Sequence, residues 1–237
     1  MKHLPFIALF FLQTSIMAQD NNPEKTVSIT ANAEMKVSPD QVVYSINISQ
    51  KRSTFEQAYD ALDKEINNAI DHLIKEKIKK DNIKTTAYNV QKSYRWKGDK
   101  RIDDGYTATS IIEAKNELDT RKINKVLARF AKNSPDLNLN VGFSISDELL
   151  EKSNEKLLTK AVKLAKRKAL TICNALSKDL GTIHSVTYNE IGSSSPIVRQ
   201  KSMMASRAMD ESAEYGSIEN VKEINLNLNI HTVWGIE

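Results

Sequence analysis

The strongest constraint in this chain is a change of parity. From residue 27 the apolar side chains fall on odd numbers, Val27, Ile29, Ala31, Ala33, Met35 and Val37, with polar residues mostly between them. After Pro39-Asp40 the apolar set moves to even numbers: Val42, Tyr44, Ile46 and Ile48. A period of two sends alternate side chains to opposite faces, so each run reads as a half-buried strand. Proline fixes its own φ and cannot donate to a ladder, which predicts a break between the runs. The simplest arrangement is two antiparallel strands folded about a Pro-Asp turn.

The same reading carries along the chain. Ser53-Thr54-Phe55-Glu56 fits a capping box, and Phe55, Ala58, Leu62, Ile66, Ala69 and Leu73 recur at helical spacing, predicting an amphipathic helix over 54–79 that stops near Asp81-Asn82. Lys75, Lys77, Lys79 and Lys80 suit the negative end of its dipole. Residues 83–97 read as a strand ending in Tyr94 and Trp96. The polar stretch KGDKRIDDG, 97–105, reads as a turn into a second strand, YTATSIIEAKN. A short helix over 119–131, an alternating strand at 137–145, a long helix over 148–178 stopped by Gly181, and a strand at 183–190 follow. A long loop, 192–220, separates these from a final alternating strand, Ile224 to Ile236. The order ββαββαβαββ predicts an α+β fold, mainly antiparallel sheet with helices packed on one face.

The ends and the composition bound the compartment and the partners. Lys2 and His3, an apolar run and the small residue Ala18 follow the order of a secretory signal over 1–18. A folded domain then spans 24–237. No later segment is long and apolar enough to span a membrane as a helix. The formal charge of +4, one unit less once Lys2 leaves with the leader, is too slight to argue for nucleic acid. Cys173, the one cysteine, excludes an intramolecular disulfide and a Cys-based zinc site. Its spacing from Ala169, Ile172 and Leu176 places it on the apolar stripe of the long helix, where a thiol behaves as a small hydrophobe.

Nothing in the motifs assigns chemistry. His72, His184 and His231 stand apart, without metal-ligand spacing. No Gly-x-Ser-x-Gly elbow, phosphate-binding loop or dinucleotide fingerprint occurs. Asp103-Asp104 reads as turn chemistry, and nothing in the spacing of 30 acids selects a catalytic pair. No catalytic, cofactor-binding or metal residue is therefore assigned, and no cofactor. The long loop is of a length that is usually functional or disordered. Its Met203, Met204 and Met209 are thioethers suited to Cu(I) or to reversible oxidation, but without nearby His or Cys they read first as adaptable packing groups.

The arrangement resembles the SIMPL-domain family, which includes periplasmic immunogenic and oxidative-stress-defence proteins of bacteria. The resemblance runs from about Val27 to Trp234. It rests on VSPDQVVYSI, DNIKT, GYTATSIIEAKN, FSISD, MMASRAM and above all KAVKLAKRKALTICNALSKDLGTIHSV, residues 160–186. The family's opening Gly-x-Gly is Ala31-Asn32-Ala33 here, and the Pro-Gly before its last strand is Glu219-Asn220. The resemblance brings no agreed catalytic residues. It implies an exported, periplasmic protein tied in some members to envelope or oxidative stress and in some to ring-like homo-oligomers. The resulting expectation is a nonenzymatic, self-associating envelope protein, with a homo-oligomer or an envelope protein as partner and no nucleic acid. The alternatives are a hydrolase whose site assembles near the long loop, or a Met-based Cu(I)-binding module. N-terminal sequencing of the exported protein is expected to find Gln19 first; a full-length chain retained in the cytoplasm would remove the compartment reading.

Overall fold

Each alternating run forms a strand, but the strands on either side of Pro39 do not pair with each other. The computed structural model describes residues 25–189, 198–199 and 221–237; the leader expected at 1–18 and most of the loop at 192–220 lie outside them. Strand β1 (Thr26–Val37) pairs antiparallel with a terminal strand, Ile224–Ile236, whereas β2 (Gln41–Arg52) belongs to a second sheet. The expected hairpin about Pro-Asp is thus a crossing between sheets. The parity change is its consequence: odd residues of β1 enter one core, even residues of β2 another.

The remaining elements sort between these two cores. Helix α1 (Phe55–Lys75), strands β3 (Ile83–Lys97) and β4 (Lys100–Glu117), helix α2 (Thr120–Asn133), strand β5 (Asn138–Ser144) and the short β7 (Val198–Arg199) join β2. Their sheet runs β3-β4-β2-β5-β7, antiparallel throughout. Both helices cover one face of it over Tyr44, Ile46, Ile48 and Ile112. Helix α3 (Asp147–Ala175), β6 (Leu180–Tyr188) and β8 (Ile224–Ile236) complete the first unit, a sheet ordered β1-β8-β6. The α+β class and antiparallel pairing stand. The described strands divide between two sheets, each with one apolar face under its own helices, α3 on one and α1 with α2 on the other.

Local chemistry explains the boundaries and corrects several of them. Thr54, not Ser53, caps α1, its hydroxyl accepting from the Gln57 N–H at 3.3 Å. The helix ends at Lys75 rather than 79 because Lys77 takes φ 61°, with Ile78 N–H donating to Leu73 carbonyl and Lys77 N–H to Ile74 carbonyl. This is a Schellman closure without glycine, held by buried Ile78. Lys77, Lys79 and Lys80 therefore lie past the last turn. Helix α3 ends the same way at Ser177, φ 53°, so Gly181 is not its stop but part of β6. The buried ladder of α3 is Leu157, Ala161, Ala165, Ala169 and Cys173, whose small members let the helix lie close on β1 and β8. Ile172 and Leu176 are exposed, so the stripe is narrower than their apolar character suggested.

The two units are tied at Asp40. Its carboxylate accepts from the Ser146 N–H at 2.6 Å and from the Ser146 hydroxyl at 2.5 Å, while its carbonyl accepts from the Leu118 N–H at 2.9 Å. Ser146 in turn caps α3, accepting from the Leu149 N–H at 3.2 Å. Asp40→Ala leaves Ser146 without its charged acceptor and is expected to lower stability by about 1.5–3 kcal/mol, read as a lower denaturant midpoint, with Asp40→Asn losing less. An unchanged midpoint would show the joint to be dispensable. Cys173, fully buried, is expected to be alkylated far more slowly in the native protein than in denaturant; equal rates would place the thiol at the surface.

Candidate assembly surface

Helix α3 sits over β1 and β8 and leaves β6 largely uncovered. Two of its lysines define its β1 side: Lys160 Nζ donates to the Glu34 carbonyl at 2.6 Å and Lys168 Nζ to the Thr30 carbonyl at 3.1 Å. These carbonyls lie on the free edge of β1, so the lysines block that edge against another strand. Val162 and Leu170 fall about 100° to the other side of the buried ladder, facing the β6 side.

Strand β6 supplies the rest of the surface. Ile183 pairs with Trp234, Val186 with Thr232 and Tyr188 with Ile230. Directly opposed residues share a face, and Trp234 and Ile230 face α3, so Ile183, Val186 and Tyr188 do too. The register shift between Ile183 and Ser185 is what brings an odd and two even positions to one face. Val162, Leu170, Ile183, Val186 and Tyr188 are between 39% and 48% exposed. They form an apolar strip beside a strand whose outer edge has no partner among the described residues. The His184 side chain lies over Gly235: a Cβ there would meet the His184 Nε2 at 2.8 Å.

The titratable groups do not gather there. His231 lies on the open face of the same sheet, its ring nitrogens 3.2 Å from the Ser28 and Thr30 hydroxyls. His72 lies in the other unit, edge-on to Phe130 at 5.5 Å. Burial, then Lys75 and Arg129, lower its pKa, so the ring stays neutral at neutral pH. Nearby, Glu76 accepts from the Arg129 Nε at 2.5 Å, joining α1 to α2. The Tyr44 hydroxyl is buried without a hydrogen-bond partner, and burial, with Asp119 and Glu76, pushes its pKa up. Of these groups Tyr44 is fully buried, while His72, Glu76 and Arg129 are half-buried where α1 ends against α2.

Clefts occur on the described surface in both units. One of about 440 Å³ lies between β1 and α3, lined by Ser28, Thr30, Arg167 and Lys168. Another of about 500 Å³ lies where Lys51 and Arg52 meet Asp103 and Asp104. A third, about 240 Å³, is a polar hollow on the open sheet face around Ser45, Asn47, Glu113 and Asn140. Among the described residues no group of three His, Cys, Asp or Glu is placed to hold a metal. Met203, Met204 and Met209, the residues of the Cu(I) reading, lie outside the described residues.

Sequence reasoning missed two features. The β6 strip was hidden because a bulge breaks its period of two. The stretch 97–105, read as a turn, is mostly strand: β3 and β4 run to a two-residue turn at Gly98-Asp99, where Gly98 takes φ +60°. Gly-Asp between two strands is a signal for a two-residue hairpin and would have found it. Gly105, φ +77°, marks where β4 passes Arg52 so closely that a Cβ would lie 2.2 Å from its carbonyl oxygen.

A family model described as SIMPL, protein of unknown function (DUF541), matches residues 27–234. The match spans both described sheets and helices α1, α2 and α3. No curated protein matches the chain.

Proposed function

The chain belongs to the SIMPL family, and from that footing we propose that it is an exported, nonenzymatic protein of the cell envelope that works by self-association. The observation that carries the reading is the uncovered strip on β6. Large apolar patches beside an open strand edge mark interaction sites, and the two long edges of this sheet are treated differently. Lysines close the β1 edge, whereas β6 carries Ile183, Val186 and Tyr188 half-exposed on its α3 face. A second copy paired antiparallel along β6 would extend three strands to six and bring two copies of the strip together. Such a contact is isologous and closes on itself. Export rests on the Lys2-to-Ala18 leader, and a part in envelope or oxidative stress tolerance on the family resemblance.

The test is the mass in solution of the chain from Gln19 onward. A multiple of the single-chain mass is expected for the wild type. Val186→Lys with Tyr188→Ser should reduce it to one chain, with unchanged far-ultraviolet circular dichroism. A monomeric wild type at micromolar concentration, or an assembly indifferent to both substitutions, would overturn the reading.

A further inference from the structure

Beyond the Arg52–Tyr106 pair β4 has lost its β2 neighbour, and from Tyr94–Asp103 to Lys97–Lys100 the strands β3 and β4 pair only with each other. This two-stranded ribbon extends about 13 Å past the sheet before its turn, at a strand's rise per residue. We propose that its tip docks the protein onto a lipid surface bearing anionic headgroups, with Trp96 seated at headgroup level and the surrounding cations on the phosphates.

Three observations carry this. Trp96 is 71% exposed, the most exposed large apolar side chain among the described residues. An indole with an apolar body and one N–H donor fits the boundary between water and hydrocarbon better than it fits water. Charge is concentrated around it. Residues 94–102 hold Arg95, Lys97, Lys100 and Arg101 against the single acid Asp99, in a chain otherwise near balance. Asp103 and Asp104, held at the ribbon's base, offset only Arg95 among these, which leaves Lys97, Lys100 and Arg101 against Asp99. Asp103 pairs with Lys92 at 2.7 Å and accepts the Gly105 N–H at 3.0 Å, while Asp104 pairs with Lys51 and lies 3.7 Å from Arg95. Finally, the tip is ordered in advance. The Arg101 guanidinium stacks 3.6 Å from the Tyr94 ring centroid, and the register puts Tyr94, Trp96 and Arg101 on one face, Arg95, Lys97 and Lys100 on the other. A narrow ribbon with one free indole offers no platform for stacking successive bases, which favours lipid over nucleic acid.

The experiment is sedimentation of the chain from Gln19 onward, which contains every described residue, with vesicles of phosphatidylcholine alone and of phosphatidylcholine with phosphatidylglycerol. Binding is expected only to the anionic vesicles. Lys97→Gln with Lys100→Gln should weaken it about 30-fold, at about a tenfold factor for each 1.4 kcal/mol and ~1 kcal/mol per cation. Trp96→Ala should weaken it about tenfold, by the loss of one seated aromatic side chain. The chain has two tryptophans, and Trp234 is buried. A blue shift of emission and protection from quenching on adding anionic vesicles therefore report Trp96. Equal binding to both vesicles, no binding to either, or binding unchanged in the variants would overturn the proposal. So would tighter capture of duplex DNA than of vesicles, or a solution mass that falls on Trp96→Ala.

Discussion

The two-core architecture hangs on a few hydrogen bonds at Asp40. Three chain segments change direction there: β1 passes to β2, β4 to α2, and β5 to α3. The Asp40 carbonyl holds the end of β4, and its carboxylate holds both polar groups of Ser146. Charge-assisted bonds of this kind contribute more than neutral ones because the acceptor carries full charge. They also fix the cap of α3, since the same Ser146 hydroxyl accepts from the Leu149 N–H in its first turn. Pro39, buried beside Asp40, limits the conformations of the crossing. The burial of β1 under α3 and of β2 under α1 and α2 is thereby set in one relation.

Dividing the strands between two sheets creates edges, and those of β1, β3 and β6 differ in their chemistry. The β1 edge is occupied by lysine ammonium groups reaching from α3. The β3 edge is broken by register shifts between Thr85 and Ala87 and between Lys92 and Tyr94, which twist a strand away from easy pairing. The β6 edge has register shifts near its start, but from Ser185 to Tyr188 it is regular and apolar on the α3 face. Its exposure follows from geometry, since one helix laid on β1 and β8 cannot reach the third strand. A fold that covers two strands of three retains an apolar remainder, and that remainder supports the proposed assembly.

The ribbon obeys a different rule. It has no core beneath it, so its strands are held by backbone pairing, the Arg101–Tyr94 stack and the ion pairs at its base. Aromatic contacts continue the sheet's order up to that point: Phe55 meets Tyr106 edge-on at 6.0 Å and Tyr59 meets Tyr88 at 5.9 Å. Beyond them Tyr94 is half-exposed under the Arg101 stack and Trp96 is exposed. Side chains there are free to be selected for what lies outside the molecule rather than for packing within it.

The sequence by itself determined the elements. Odd apolar residues from Val27 to Val37, even ones from Val42 to Ile48, and the four-residue spacing of Ala161, Ala165, Ala169 and Cys173 each state a period, and the period states strand or helix with its buried face. Those signals are local and survive without knowledge of partners. Strand partners were not legible, because the parity change at Pro39 is the same for a hairpin and for a crossing; only the distant groups of Ser146 and Leu118 decide between them. The β6 strip was not legible either, since a bulge set by pairing with β8 brings Ile183 and Val186 to one face. The ribbon's first strand was legible as far as Trp96, but 100–105 lacked a period because neither face of the ribbon is buried, and only the Gly98-Asp99 pair signalled that β4 begins at Lys100. Tertiary structure decided what depends on separated residues meeting, and the candidate surfaces are of that kind.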